Sequence, residues 1–471
     1  MDKDKTLAKN TVILTIGQFI PKLIAMVTLP IITKAFSTEE YGIYDLIISF
    51  AGLFMPLMTF MIQQAVFRFM ISERKEKYPE YIFTSLIFIF AISIIMLIIM
   101  MIIGIFVKQY FDLLVLAMLL YFCESIYDLI GQIARGYGKN LFYSIGVIIY
   151  SIFNMLLLLI LVIFNFVNIK SALIILSISY FAVAVFLFLK LKLQKILKFK
   201  YFSFNILKKM LKYSLPIIPS SVSMWIVNLS NRLIITWFLG SALNGIYAAA
   251  SKIPNLLITF YNAFNLAWTE LASRSIEEGG SDEYYSKLTN NLYTFFFGAV
   301  IAFISISPIL FNILIDKKFN DGIWQMPILF LGVAFNCLVS FYGGLYVALQ
   351  KTKQVGVSST IGAILNIIIN VVLIKKIGLY AASISTAVSF FIILIYRIIE
   401  LNKYIKIKYN ISNIIIGVIF LTVTIFNYYN LNMIILFLNI LIALLYNVLY
   451  NKLILLIIKK GKNKIFDRNI K

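Results

Sequence analysis

Nine ionisable side chains stand inside or at the ends of long apolar stretches: Lys22, Arg68, Arg232 and Lys252, and Asp45, Glu124, Asp128, Glu270 and Glu400. Each deep one costs about 2.5–3.5 kcal/mol to hold at the centre of a membrane-spanning helix, so a role as ligand or partner is the default. Cations of this kind suit an anionic partner, which they attract as charges and hydrogen-bond as donors. Glu124 and Asp128 are four residues apart and share a helical face. Two such carboxylates in a low dielectric do not both ionise freely, so they hold a proton, share a cation or partner the cations. Arg68, Glu270, Arg397 and Glu400 fall near span ends and read as anchors at the headgroups, while Asp45 reads as solvated near an outer edge.

Other chemistries are missing. There is no histidine, which removes imidazole bases, imidazole metal ligands and the Ser-His-Asp triad. Cys123 and Cys337 lie in apolar runs and read as small core residues, with no metal site. The string from Gly131 to Lys139 has two glycines of a phosphate loop, but Tyr137 stands where the lysine is required. Neither an enzyme nor a bound cofactor is expected.

The elements that position these residues are membrane spans. The chain has 471 residues, 61% apolar and 13% charged, which excludes a soluble globular enzyme. Apolar runs of spanning length occur near 12–33, 41–67, 81–107, 113–134, 142–164, 171–191, 213–238, 243–272, 290–315, 324–349, 355–374, 379–400, 411–427 and 431–456. The fold class is therefore an all-α polytopic membrane protein of about fourteen spans. The first span follows a polar stretch and shows no cleavage site, so it reads as a retained helix. With both termini in the cytoplasm, 32 of the 42 Lys and Arg residues fall in inside segments and 7 in outside loops, a bias that sets the orientation. The net charge of +22 is then mostly a record of topology, and no nucleic-acid partner is needed.

The pattern divides the chain into a six-helix bundle (1–189), a basic amphipathic cytoplasmic linker (190–212), a second six-helix bundle (213–402), and an extra helix pair with a basic tail (403–471). Lysines among Phe, Ile, Leu and Met in the linker suit a helix in the inner headgroup layer. Gly42-Ile43-Tyr44 recurs as Gly245-Ile246-Tyr247, 203 residues on, and Gly146 with Asn154 recurs as Gly362 with Asn370, 216 residues on. Equivalent spans cross in the same direction, which implies a parallel repeat with a pseudo-twofold along the membrane normal. Pro21 and Pro30 in span one match Pro216 and Pro219 in span seven, predicting bent or broken helices there. Asn228, Asn255, Tyr261, Asn262, Asn265 and Trp268, on spans seven and eight, have the amides and rings to contact sugars, though polar residues also join helices.

LPIITKAFSTEEYGIYDL (Leu29–Leu46), the stretch Tyr213–Pro254, NAFNLAW (Asn262–Trp268), GLYVALQKTK (Gly344–Lys353) and the stretch Gly362–Thr386 resemble lipid-linked oligosaccharide flippases of the Wzx type. These belong to the multidrug/oligosaccharidyl-lipid/polysaccharide exporter superfamily. The resemblance implies two six-helix bundles around a V-shaped cavity in a bacterial plasma membrane. It implies alternating access that moves an oligosaccharide on undecaprenyl pyrophosphate to the outer leaflet. Related lipid flippases line their cavity with basic residues of spans one, two and eight, which here are Lys22, Arg68 and Lys252. Arg232 joins them as the deep cation of span seven. Asp45, Glu124 and Asp128 are the candidates for coupling to H+ or Na+. Membrane lipids, a polysaccharide polymerase and chain-length machinery are the expected partners. A cation-coupled multidrug exporter of the same fold is the alternative, disfavoured because it would place acids in the cavity.

Overall fold

The computed structural model describes residues 3–106, 108–277, 281–349, 351–430 and 432–451. Among them are seventeen α-helices and no strand: α1 (Lys3–Ala35), α2 (Thr38–Thr59), α3 (Ile62–Ser72), α4 (Tyr78–Phe106), α5 (Phe111–Gly136), α6 (Asn140–Ile163), α7 (Ile169–Lys190), α8 (Phe204–Ser214), α9 (Ile218–Leu239), α10 (Ser241–Lys252), α11 (Pro254–Glu277), α12 (Asp282–Leu314), α13 (Met326–Ala348), α14 (Thr352–Ile377), α15 (Tyr380–Leu401), α16 (Ile411–Tyr429) and α17 (Met433–Tyr450). Twelve helical segments are long and apolar enough to cross a membrane among the described residues. The two further expected spans are the stretches occupied by α9 and by α10 with α11, so a count of fourteen is not reached. The basic tail 452–471 lies outside the described residues, as do the side chains of Asn228 and Glu270. By packing, the chain divides into residues 1–245 and 246–471.

Helix ends follow local chemistry. Ser37 caps α2 in a capping box: its hydroxyl accepts the Glu40 N–H at 3.1 Å while the Glu40 carboxylate accepts the Ser37 N–H at 2.9 Å. Asn168 and Ser171 cap α7 in the same reciprocal way.

The breaks fall away from the prolines that predicted them. Helix α1 runs on through Pro21 and Pro30. Pro216 lies in a short 3-10 turn before α9, and Pro219 in the first turn of α9, where a missing N–H leaves no gap. The interrupted spans are two and eight. Span two is cut between α2 and α3, where Phe60 and Met61 take φ of 49° and 54°. Thr59 eases that cut, its hydroxyl donating to the Met55 carbonyl at 2.7 Å and accepting the Met61 N–H at 3.3 Å. Span eight is cut at Ile253, just before Pro254 opens α11.

In the first unit, Ile62, Ala65 and Val66 of α3 pack with Leu129 and Ile133 of α5 and Val183 and Leu187 of α7. The linker is docked against this core. Met210 and Ser214 of α8 are buried, and the Lys209 ammonium meets the Glu73 carboxylate at 2.5 Å and lies 4.8 Å from the Phe69 ring centroid.

Repeated glycines make equivalent contacts. A Cβ on Gly146 of α6 would stand 3.0 Å from Leu187 of α7, and one on Gly362 of α14 would stand 2.1 Å from Ile393 of α15. In each half, then, the fifth span seats a small residue against an aliphatic side chain of the sixth.

In the second unit α16 and α17 are fastened to α12. Asn447 donates to the Gly298 carbonyl at 3.1 Å, Ser305 to the Asn439 carbonyl at 2.9 Å, and Phe297 fills the space over Gly417. The connection into α16 is held by a polar row on α12. Asp282, Ser286 and Asn290 accept the backbone N–H groups of Lys406, Lys408 and Asn410 at 3.2, 2.8 and 2.8 Å. Four residues of helix rise about 6 Å and two of extended chain about 6.6 Å, so the two periods stay in step.

Candidate functional site

The first unit brings Asp45 and Arg232 together. Asp45 stands on α2 about two turns past its Ser37 cap, and Arg232 projects from α9. The guanidinium Nε lies 2.5 Å from the carboxylate, with the side chains 15% exposed for Arg232 and 4% for Asp45. Asp45 is thus buried, where the sequence had suggested solvent. The pair is reached over a seam where the helix backbones touch. A Cβ on Gly42 would stand 1.9 Å from the Ser241 carbonyl oxygen, and one on Gly245 would stand 1.9 Å from that of Thr38. The offset of 203 that maps Gly42 onto Gly245 also maps Thr38 onto Ser241. The contact is therefore reciprocal, the pattern a twofold produces. Only glycine allows such an approach, and Asn244 secures it by donating to the Gly42 carbonyl at 2.9 Å.

Behind this seam lies a polar network on α5. Glu124 and Asp128 are both half-buried. Tyr180 of α7 is a neighbour of Glu124, and the Tyr180 and Tyr150 rings stack at 4.3 Å. Asp128 is flanked by Gln63 of α3 and by Gln132, whose amide donates to it at 3.4 Å. Gln132 in turn accepts from Arg135 at 2.9 Å, and Arg135 lies 4.4 Å from the Phe67 ring centroid. Carboxyls set among amides and hydroxyls in this way can hold a proton or a small cation. Gln63 and Tyr180 escaped sequence reading because they come from helices that hydropathy does not pair with α5; Gln132 and Arg135 lie on α5 itself, where the spacing 124, 128, 132, 135 on one face was the available signal.

The other cations of the first unit, Lys22 on α1 and Arg68 on α3, are both exposed. In the second unit Lys252 is half-buried at the last turn of α10, beside the break at Ile253. On α11, Asn255 and Asn262 are exposed and share a face seven residues apart. Tyr261 is buried and donates to Asn265 at 3.1 Å. Trp268 is only 2% exposed, stacks on Phe341 at 4.7 Å and donates to the Phe341 carbonyl at 3.0 Å. It packs as a core residue. Arg397, expected as an anchor, is buried as well. Its guanidinium bonds the Val339 carbonyl and the Ser358 and Ser359 hydroxyls, with Gly343 leaving it room.

A profile of the polysaccharide biosynthesis protein family matches residues 7–269, more than half of the chain. The chain belongs to that family. No curated protein matches it. Among solved structures, the fold of this family member is similar to that of the Lipid II flippase MurJ in an inward closed conformation. The identity is 14%, the TM-score 0.71, and the match covers 94% of this chain and 98% of that one. It is also similar to an inward-facing multidrug resistance MATE family transporter of the MOP superfamily, at 16% identity and TM-score 0.62, covering 86% of this chain and 96% of that one. A point mutant of the Vibrio cholerae MATE transporter VcmN follows at 12% identity and TM-score 0.57, covering 85% of this chain and 97% of that one. The family member is thus a multi-pass membrane protein with the fold of these flippases and transporters.

Proposed function

We propose that the chain moves oligosaccharide repeat units linked to undecaprenyl pyrophosphate from the cytoplasmic to the outer leaflet of a bacterial plasma membrane, by alternating access, with both termini in the cytoplasm. The observation that carries this reading is the match to the polysaccharide biosynthesis family on a chain that folds like a lipid flippase over 94% of its length. Such a headgroup cannot cross hydrocarbon, so the polar helices carry it while the polyprenyl tail stays in lipid. Lys22, Arg68 and Lys252 are the proposed pyrophosphate ligands. Arg232 joins them only on leaving Asp45, which makes the ion pair a switch between a closed seam and a loaded one. With Asp45 so engaged, coupling to H+ or Na+ falls to Glu124 and Asp128 and their amide and hydroxyl partners. A polymerase and chain-length machinery would receive the exported units.

The test uses proteoliposomes holding the purified chain and a fluorescent lipid-linked oligosaccharide. Translocation is expected to respond to an ion gradient, and K252Q to reduce it at least tenfold while inserting normally. Absence of translocation under every gradient, or export of cationic dyes instead, would overturn the reading.

A further inference from the structure

On the second unit, the connection between α12 and α13 closes over a cleft of about 300 Å3 lined by Asn312, Asn320, Asp321, Ile323, Trp324 and Tyr428. We propose that this cleft is a saccharide-binding site that takes one pyranose ring of the transported lipid-linked oligosaccharide on the outer face. The outer placement and the ligand's source rest on the flippase reading above; the chemistry of the cleft does not.

The lining is what a sugar ring requires. A pyranose has an apolar face of ring C–H groups and a rim of hydroxyls, so its site combines an aromatic plane with planar polar groups. Trp324 supplies the plane and is 40% exposed. Its setting is fixed: the ring stacks on Tyr429 at 6.3 Å and 18°, and the Tyr429 hydroxyl donates to the Trp324 carbonyl at 3.0 Å. Tyr428 is buried and donates to the Ile323 carbonyl at 2.9 Å, pinning the connection to the end of α16. Asn312, Asn320 and Asp321 are all exposed side chains, and together they offer amide donors and carbonyl and carboxylate acceptors to a hydroxyl rim. The volume lies at the lower end of ligand sites, matching one ring rather than a repeat unit.

Two plainer readings fail on the same observations. Trp and Tyr commonly belt a membrane protein at the interface, and exposed Trp237 has that form, but belt aromatics need no polar cleft behind them. The outer connections of the first unit form a second cleft of about 390 Å3, lined by Glu40, Gln109, Asp112, Leu113, Asn168, Ile169 and Lys170. There Asp112 is bound to Lys170 at 2.5 Å and no aromatic ring lines the wall among the described residues. A surface dimple between loops therefore does not by itself assemble a ring and three Asx side chains.

The experiment uses the full chain in nanodiscs, with saturation-transfer NMR on a panel of glucose, galactose, N-acetylglucosamine and N-acetylgalactosamine. At least one sugar should receive saturation on one ring face. W324A and N320A should each cut the signal at least fivefold, W324F should retain most of it, and W237F should leave it unchanged. Signal from no sugar, or signal indifferent to W324A, overturns the site. A lipid extract from cells that make lipid-linked oligosaccharide should displace the sugar; failure to do so overturns the ligand assigned. N320C, the native Cys123 and Cys337 being buried, should react with an impermeant maleimide from outside intact cells; reaction only after permeabilisation overturns the exit-side placement. Sugar binding in a chain that translocates nothing would refute the flippase reading while supporting the site itself.

Discussion

Consider Asp45→Asn. The carboxylate it removes is 4% exposed and lies 2.5 Å from a guanidinium that is itself only 15% exposed. Breaking such a desolvated pair by removing one partner is worth about 3–5 kcal/mol, because the remaining charge stays buried without the carboxylate that balanced it. The helices offer Arg232 a second way out: α2 can part from α9 and let the charge reach water. The perturbation then appears as local opening of the Gly42–Gly245 seam, raised by about two to three and a half orders of magnitude at 1.4 kcal/mol per tenfold. Hydrogen exchange of the amides on α2 and on 229–239 of α9, measured in detergent or nanodiscs, reads that opening directly. Arg232→Gln removes the other half of the same 2.5 Å contact and should open the same seam. The double variant should be less open than the sum of the singles, with a coupling of at least about 1 kcal/mol. Exchange unchanged in Asp45→Asn, or strictly additive effects in the double variant, would refute the claim that this pair holds the seam.

Gly42→Ala and Gly245→Ala should each force the two backbones apart, since the added carbon would stand 1.9 Å from a carbonyl oxygen; loss of surface polysaccharide with normal membrane levels is expected, and full export from either would count against a seam that must close. The Lys209 ammonium holds the Glu73 carboxyl below the usual carboxylate range, and Glu73 in return raises Lys209. Docking of α8 gained from this pair is therefore present above the ordinary carboxylate value, lost only as pH falls through the lowered one, and lost again only well above neutrality. Proteolysis of the linker should thus be flat from mildly acid to mildly basic pH, and Glu73→Gln should raise it throughout; a step near neutral pH would contradict the assignment. Ser286→Ala leaves the Lys408 N–H without its acceptor and should cost about 1 kcal/mol, seen as faster exchange at 406–410 with α16 and α17 unaffected.

Much of the architecture was written in hydropathy and in the spacing of a few small residues. Continuous apolar runs sufficed for twelve of the fourteen expected spans, and the Gly-Ile-Tyr recurrence, read as a mark of duplication, proved to lie on the seam, where only glycine tolerates the backbone approach. Prolines misled: at Pro216 and Pro219 they serve a helix start, while the cut in span two falls on Phe60 and Met61, ordinary residues whose left-handed geometry is imposed by packing and eased by Thr59. The candidate site was legible as a set of charges and illegible as a set of pairs. Asp45 and Arg232 are 187 residues apart, and no local pattern says which cation an acid will meet. Arg397 and Trp268 were misread for the opposite reason, since burial by neighbouring helices is decided by α13 and α14, not by position along their own spans.

The polar row on α12 has a consequence for how the protein is made. Asp282, Ser286 and Asn290 leave the ribosome 118 to 124 residues before the backbone groups they hold. At about 5–20 residues per second, roughly 6–25 s pass before the bonds of that row can form. Hydrocarbon would not tolerate it for so long, but water at the membrane surface satisfies it at no penalty. The row therefore sits in the first turns of α12, before the apolar stretch begins. The N–H groups of Lys406, Lys408 and Asn410 take the place of water on that row only once they are made, so the place where the chain enters α16 is fixed by side chains synthesised long before it.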